Sequence, residues 1–477
     1  MYLNDEGLYT RQIPIIVLRT HRLLTNRYER WLRRRIDSKR ATELSISNIP
    51  GTEWPLFGTV FYLWATEAIE EELLRDKNNS LSLPSEYAKD TIKLAAQFLA
   101  DPNQAVWVKN HWGKNYLDKE NLFYRMLLIN GLLSYQKITG DKTYEGILRG
   151  QVTSLAQELD QSPYGLLDDY PGECFPIDII AAIAGIKRAD EILGADHSMF
   201  VKSALRGFQG NRLAPDTLLP AYNVDSRTGY GLSSARGIGM SFMLIWAPEL
   251  WKEVAIDWYS KYKNLYWQGK WGMVGFREFP RKRVNTDWWM DADSGPVIGG
   301  FGVAATAFGL GAARANNYFN DAYILSSEVI VLSWPLLDGT LLGARLLSNV
   351  TDAPYLGETN LLFLLTRQPK LDNVNIIVKK IPALVYIVIL LFFFVGLLYI
   401  FREVVFFKKW LANYQNFNFF NPLIQFIISL LLISAGVCAF LFFGNVLGIV
   451  LILISQVFPV KNLGRSEKDQ KFSKGDT

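Results

Sequence analysis

The sequence predicts an all-α chain: an (α/α)6 toroid of six helical hairpins, followed by a C-terminal transmembrane helical segment. Three observations carry this expectation. Six turn-rich polar stretches, each with a carboxylate, run straight into an apolar helix pattern: Gly51-Thr52-Glu53-Trp54-Pro55, Asp118-Lys119-Glu120-Asn121, Pro171-Gly172-Glu173-Cys174, residues 225–233, Asp291-Ala292-Asp293-Ser294-Gly295 and Gly357-Glu358-Thr359. They recur about every sixty residues, the length of two helices and two turns. Between them the apolar spacing is helical rather than alternating, and beyond residue 380 the chain passes into long uncharged apolar runs.

The helices follow in order. Outer helices are expected at 15–36, 86–100, 142–159, 197–208, 249–265 and 320–335. Inner helices, each after an acidic loop, are expected at 55–75, 121–138, 175–193, 232–247, 297–316 and 358–368. Thr139-Gly140-Asp141 separates two of the patterns, Pro248 marks a helix start and Pro84 precedes a cap at Ser85-Glu86. The inner set is richer in Gly and Ala, as in residues 301–315, which suits helices packed on all sides. A short hairpin is expected within residues 267–279.

The toroid is thus assigned to residues 1–368, with a linker at 369–380. Residues 381–401 form an apolar run long enough to span a bilayer core. An amphipathic or interfacial loop at 402–421 follows, then one or two spans within 422–458 and a basic polar tail at 459–477. Two spans in all place toroid and tail on one side, which the positive-inside rule makes cytoplasmic; three place the toroid outside. With only residues 13–18 as an early apolar stretch, too short for a signal sequence, the cytoplasm-facing arrangement is preferred.

Composition narrows the function classes. A net charge of +4 on 477 residues offers no footprint for nucleic acid. The arginines between Arg27 and Arg40 occupy one face of a helix pattern and read as a solvated surface. Cys174 and Cys438 make no disulfide framework, and His21, His111 and His197 lack ligand spacing, so no metal and no cofactor is expected. The expected partners are a small-molecule or glycan substrate and the lipid bilayer.

Chemistry concentrates in two stretches. Asp168, Asp169, Glu173 and Asp178 lie on a segment bent by Pro171, Gly172 and Pro176. Crowded carboxylates raise each other's pKa, so one can hold a proton while another stays charged, as acid/base work at a C–O bond requires. Isolated acids here would read as helix caps. In residues 288–296, Trp288 and Trp289 stand beside Asp291 and Asp293, a stacking platform next to a reactive centre. Asp169 or Glu173 is the expected base and Asp293 or Asp178 the proton donor. Trp288, Trp289 and Tyr230 are expected to stack on substrate, and Arg236 to anchor an anionic or hydroxyl group. Glu53, Trp54, Asn121, Tyr124 and Asp291 complete the substrate-binding set. The basic residues Arg277, Arg281, Lys282 and Arg283 read as a solvated loop able to meet lipid head groups. Gly300-Phe301-Gly302-Val303-Ala304-Ala305 fits a relaxed dinucleotide fingerprint, but no βαβ pattern surrounds it. Cys174, without a neighbouring histidine, reads as a buried thiol.

Across residues 50–365 the chain resembles the linalool dehydratase/isomerase family, through Asn121-Leu122-Phe123-Tyr124 leading into Thr139-Gly140-Asp141, the 170–178 loop and Asp291-Ala292-Asp293-Ser294-Gly295-Pro296. The resemblance implies an (α/α)6 toroid that adds or removes water at a terpenoid alcohol without a cofactor, using histidine, aspartate, tyrosine and cysteine side chains. Where the family pattern has its histidine this chain reads Arg125-Met126, and where it has paired cysteines this chain has Asp169, Cys174 and Asp178. Carboxylates replacing those groups favour a carbohydrate-type substrate, as in hydrolases and lyases of the same architecture, with the terpenoid hydro-lyase as the alternative. A non-catalytic toroid that binds glycan, lipid or partner proteins is the third reading.

Overall fold

The computed structural model describes residues 2–76, 80–283, 286–348, 351–371, 381–412 and 427–436, with residues 451 and 455. It is mostly helical. The first helices are α1 (Ile15–Ser38), α2 (Ile49–Arg75), the short α3 (Pro84–Tyr87), α4 (Lys89–Ala100) and α5 (Val106–Trp112). Next come α6 (Leu122–Thr139), α7 (Glu145–Gln161), α8 (Pro176–Leu193), α9 (Ser198–Ala204), α10 (Gly237–Leu250) and α11 (Lys252–Tyr266). After a strand-bearing insertion follow α12 (Val303–Ala315), α13 (Phe319–Ser333), α14 (Leu342–Ser348), α15 (Leu356–Leu365) and α16 (Ala383–Ala412). The chain forms two compact units, residues 1–335 with 339–385 and residues 336–338 with 386–477.

Within the first unit six apolar helices make a closed circuit of contacts. α2 packs on α6, α6 on α8, α8 on α10, α10 on α12, α12 on α15, and α15 returns to α2. α1, α4, α7, α9, α11 and α13 lie against members of this circuit. Aromatic rings from its members meet one another: Phe61 stacks on Phe363 at 5.1 Å, Trp64 lies 4.7 Å from Trp246, and Phe308 meets Phe242 edge-on at 5.3 Å. Rings of this size bury large apolar areas and favour such tilted and stacked geometries.

Two prolines sit inside circuit helices rather than at their starts. The polar stretch at 51–55 was expected as a loop, yet α2 begins at Ile49, capped by the Asn48 side chain accepting from Gly51 N–H. Pro55, four residues on from Gly51, has no N–H to give the Gly51 carbonyl; buried Arg35 donates to that carbonyl instead. Pro248 was expected to open a helix but lies in the last turn of α10. Its missing bond would have gone to the Leu244 carbonyl, and buried Asn316 donates there at 2.8 Å. Each proline is tolerated because a side chain from another helix or its flank replaces the lost donor.

The insertion between α11 and α12 holds two small antiparallel sheets. β1 (Trp267–Lys270) pairs with β2 (Met273–Phe276), confirming the expected hairpin. β3 (Trp288–Asp291), β4 (Gly295–Ile298) and the two-residue β5 (Phe301–Gly302) form the second, with Trp288 opposite Ile298. The expected helix at 297–316 therefore starts only at Val303. The glycine run at 300–305 joins an antiparallel strand to that helix, which is not a dinucleotide-binding arrangement.

In α16, Ala383–Arg402 has a mean hydropathy of 3.0 and is long and apolar enough to cross a membrane. Of the second apolar run, Ile427–Gly436 is a described helix. Residues 402–412, expected as part of a loop, continue α16 instead; the choice between two and three spans, residues 413–421, most of the 369–380 linker and the 459–477 tail lie outside the described residues.

Replacing Asn316 by Ala orphans the Leu244 carbonyl and is expected to cost about 1–3 kcal/mol of stability. In a Pro248→Ala background, where the helix regains its own donor, the same substitution is expected to cost less. Denaturant unfolding of the four proteins of this cycle checks the coupling; equal penalties in both backgrounds would refute it.

Candidate active site

The start of α2, the 168–175 loop, the start of α8, the segment before α10 and the β3–β4 turn together supply one carboxylate cluster. The loop is built first. Glu173 N–H donates to the Tyr170 carbonyl at 2.8 Å, closing a tight turn in which Gly172 adopts φ +85°, a conformation that strains any residue with a Cβ. Asp168 braces it: its carboxylate accepts from Gly172 N–H at 2.8 Å and from Ser226 Oγ at 2.6 Å, while its own N–H donates to Glu120 at 2.6 Å. Asp168 and Glu120 are therefore supports.

The turn delivers Asp169, which is 1% exposed. One of its oxygens accepts from Phe175 N–H at 2.6 Å, and the other is buried with no hydrogen-bond partner. Such orphaned atoms are rare and call for an explanation. Asp178, buried in the first turn of α8, is electrostatically linked to it. Burial, then the charge of Asp178, push the Asp169 carboxyl well above the usual carboxylate range; burial, then Glu53 and Asp293, do the same for Asp178. Both carboxyls are thereby shifted towards the protonated form.

Two tyrosines flank the pair. Tyr170 donates to Glu53 at 2.8 Å and Tyr222 donates to Asp293 at 2.7 Å. Glu53 is raised from 4.5 to about 7, chiefly by burial and further by Asp293 and Glu173, against the hydrogen bond from Tyr170. Both phenols are held protonated by burial and by the carboxylates they serve. Aromatic rings wall this side: Phe123 lies 5.9 Å from Tyr170 and 5.3 Å from Phe57, and Phe175 meets Tyr222 at 5.6 Å. Glu53 and both tyrosines are half-buried and Asp293 is exposed, so the cluster is reached from solvent.

Of the expected catalytic residues, Asp169, Asp178 and Asp293 thus meet, with Glu173 exposed on the turn and raising Glu53 from outside. Glu53 belongs among them as a proton-holding group, and Trp54 is half-buried beside it in α2. Other expected binders make hydrogen bonds away from the cluster. Asn121, fully buried in a left-handed conformation, donates to the Tyr116 carbonyl, and Tyr124 donates to the Leu99 carbonyl. Arg125, where the family histidine was expected, is fully buried and clamps α6 to α7 through Gln151, Ser154 and Glu158. Arg236 anchors no free anion: it binds Glu278 at 2.6 Å and Asp291 at 2.8 Å, with its guanidinium 4.5 Å from the Tyr222 ring centre. It thereby supports the ring that serves Asp293. Asp291 caps the β3–β4 turn, accepting from Ser294 and Trp289. Trp288 and Tyr230 are exposed, and Trp289 stands edge-on to Phe279. Cys174 is buried, its thiol pushed up by burial and then by Asp169, consistent with an inert role.

Tyr170, Tyr222 and Glu278 were not singled out from sequence. Tyr170 stood in the acidic loop, where its position was a usable signal; Tyr222 and Glu278 lie in segments with no distinguishing pattern. Two concavities lie apart from the cluster residues: one of about 340 Å³ lined by residues including Tyr116, Asp118 and Gln151, and one of about 450 Å³ lined by Asp216, Ser234, Leu265, Pro280, Lys282 and Arg283. Each offers a single carboxylate, so the acid/base case rests with the cluster. Among the described residues no group of His, Cys, Asp and Glu has a metal-holding arrangement. No protein-family model matches the chain, and neither does any curated protein.

A carboxyl with a higher pKa folded than unfolded favours the fold most below its unfolded value and loses that contribution as pH rises through its folded value. For Glu53 that window runs from 4.5 to about 7. Stability is therefore expected to decline across it, and Glu53→Gln to flatten the decline and raise stability relative to the parent at the alkaline end. Thermal unfolding against pH measures both; an unchanged slope in the variant would contradict the placement of Glu53.

Proposed function

We propose that residues 1–368 form an (α/α)6 toroid, anchored by the apolar segment that begins at 381, and that it is an enzyme doing acid/base chemistry at a C–O bond of a carbohydrate-type substrate. The closed circuit of six helices, backed by others, supports the toroid. The observation that carries the chemistry is the meeting of Glu53, Asp169, Asp178 and Asp293 beside two tyrosine hydroxyls. A buried carboxyl pair that retains a proton, next to a glutamate titrating near neutrality, supplies a donor and an acceptor at once. The Asp169–Asp178 pair is the proton store, Glu53 takes and returns the proton through its contact with Tyr170, and Asp293 faces it with Tyr222.

Charge also selects the substrate. Among the described residues the cluster's acids have no cation of their own, because Arg236 is engaged by Glu278 and Asp291. An anionic substrate would be repelled, whereas neutral or aminated polyols present hydroxyl donors to surplus acceptors. The aromatic wall of Phe57, Phe123 and Phe175 favours a second reading, a hydro-lyase acting on an apolar alcohol, in line with the family resemblance.

Metabolite and glycan profiling of a deletion strain tests the proposal. Complementation with the parent is expected to clear the accumulating species, and complementation with Asp178→Asn/Asp293→Asn to leave it, reflecting a loss of about a hundredfold or more in turnover. A double variant that folds and clears the species as the parent does would end the assignment. The chemical nature of the species, a polyol derivative or an apolar alcohol, decides between the two readings.

A further inference from the structure

The β3–β4 hairpin is apolar on the wrong side for a soluble surface. Side chains alternate along a strand, so Trp288 and Met290 share a face, and their partners Ile298 and Pro296 lie on it too. Trp288 is 69% exposed and Met290 78%, while Val297 on the opposite face is buried. Trp271 extends this face from the turn of the β1–β2 hairpin. Its ring lies over Gly299, where a Cβ would stand 2.3 Å from the indole. Trp271 is 57% exposed and holds a left-handed backbone at φ +56°. A large ring is thus fixed outward at some backbone cost.

Two further observations identify what covers this face. The backbone N–H of Leu384 donates to the Gly272 carbonyl at 3.0 Å, beside Trp271, and Val385 is fully buried. The apolar stretch long enough to cross a membrane starts at Ala383. Trp271 is therefore the chain neighbour of the residue that is hydrogen-bonded to the start of that stretch. Residues 281–283, Arg-Lys-Arg, are exposed at the margin of the hairpin: the Arg283 guanidinium lies 4.8 Å from the centre of the Phe279 ring, on which Trp289 packs from the face that also carries Val297. Tryptophans beside clustered basic residues at the end of an apolar span match the interfacial zone of an anionic bilayer. An exposed apolar face of this kind marks a contact site.

We propose that Trp271, Trp288, Met290 and Ile298, with the basic segment 281–283, form an interfacial surface that seats on an anionic lipid bilayer. The surface is separate from the carboxylate cluster, and its test does not depend on the enzymatic reading.

Full-length protein carrying Cys438→Ser receives one added cysteine, Met290→Cys, or as control Met199→Cys on α9, where the native side chain is equally exposed. Each is labelled with an environment-sensitive fluorophore and reconstituted in phosphatidylcholine–phosphatidylserine vesicles. The label at 290 is expected to shift to the blue, to resist aqueous iodide and to be quenched several-fold more strongly than the control by lipids spin-labelled near the headgroup. Arg281→Glu/Lys282→Glu/Arg283→Glu is expected to weaken that quenching. A label at 290 as open to iodide as the one at 199 overturns the proposal. So does one shielded from iodide without lipid quenching, which would mean that protein covers the face.

Discussion

The packing of α15 against α2 is the contact on which the first unit depends. Phe61 and Trp64 of α2 stack on Phe363 of α15, and Trp246 of α10 joins them from the other side. These helices come from distant parts of the chain, so without this aromatic contact the circuit α2–α6–α8–α10–α12–α15 would stay open. Closure also sets the position of the first turn of α2. Glu53, just past that turn, accepts a hydrogen bond from Tyr170 that ties it to a loop more than a hundred residues away. Core packing and site assembly are one event here.

Bringing like charges together has a cost, and the surroundings show how it is met. Asp168 and Asp291 are saturated with hydrogen bonds and serve as braces. Asp169 and Asp178 are instead pushed towards the protonated form by burial and by the charges of neighbouring carboxylates. Tyr170 and Tyr222 each neutralise one neighbour by donation rather than by charge. Arg236, stacked on Tyr222, balances Glu278 and Asp291. The result is a cluster of carboxyls and phenols flanked by aromatic rings, and its most exposed carboxylate, Asp293, lies in the turn of the hairpin whose far face is apolar and exposed.

The helices were legible because burial on one or all faces leaves a periodic record, and their predicted bounds fall within a few residues of those observed for α1, α6, α7 and α8. Misplaced boundaries share a cause. Gly51 to Pro55 and Pro248 looked like breaks because proline removes a backbone donor, and the replacement donors, Arg35 and Asn316, are remote in sequence. Residues 297–302 looked like the start of a helix because small residues allow close helix packing, whereas there they form a tight antiparallel corner.

Sequence alone determined that this chain is built of apolar helices punctuated by acidic stretches, that it carries a segment able to cross a membrane, and that residues 168–178 and 291–293 hold the densest chemistry. Period and local composition record those properties. Only the tertiary structure decided which acids meet, that Glu53 joins them from within a helix, that Tyr170 and Tyr222 supply the hydroxyls, and that Arg236 and Tyr124 are engaged in holding the scaffold. Those roles depend on pairings between residues far apart in the chain, and pairing leaves no periodic trace. The acidic stretches mark the neighbourhood of the site; the closed circuit of helices selects its members.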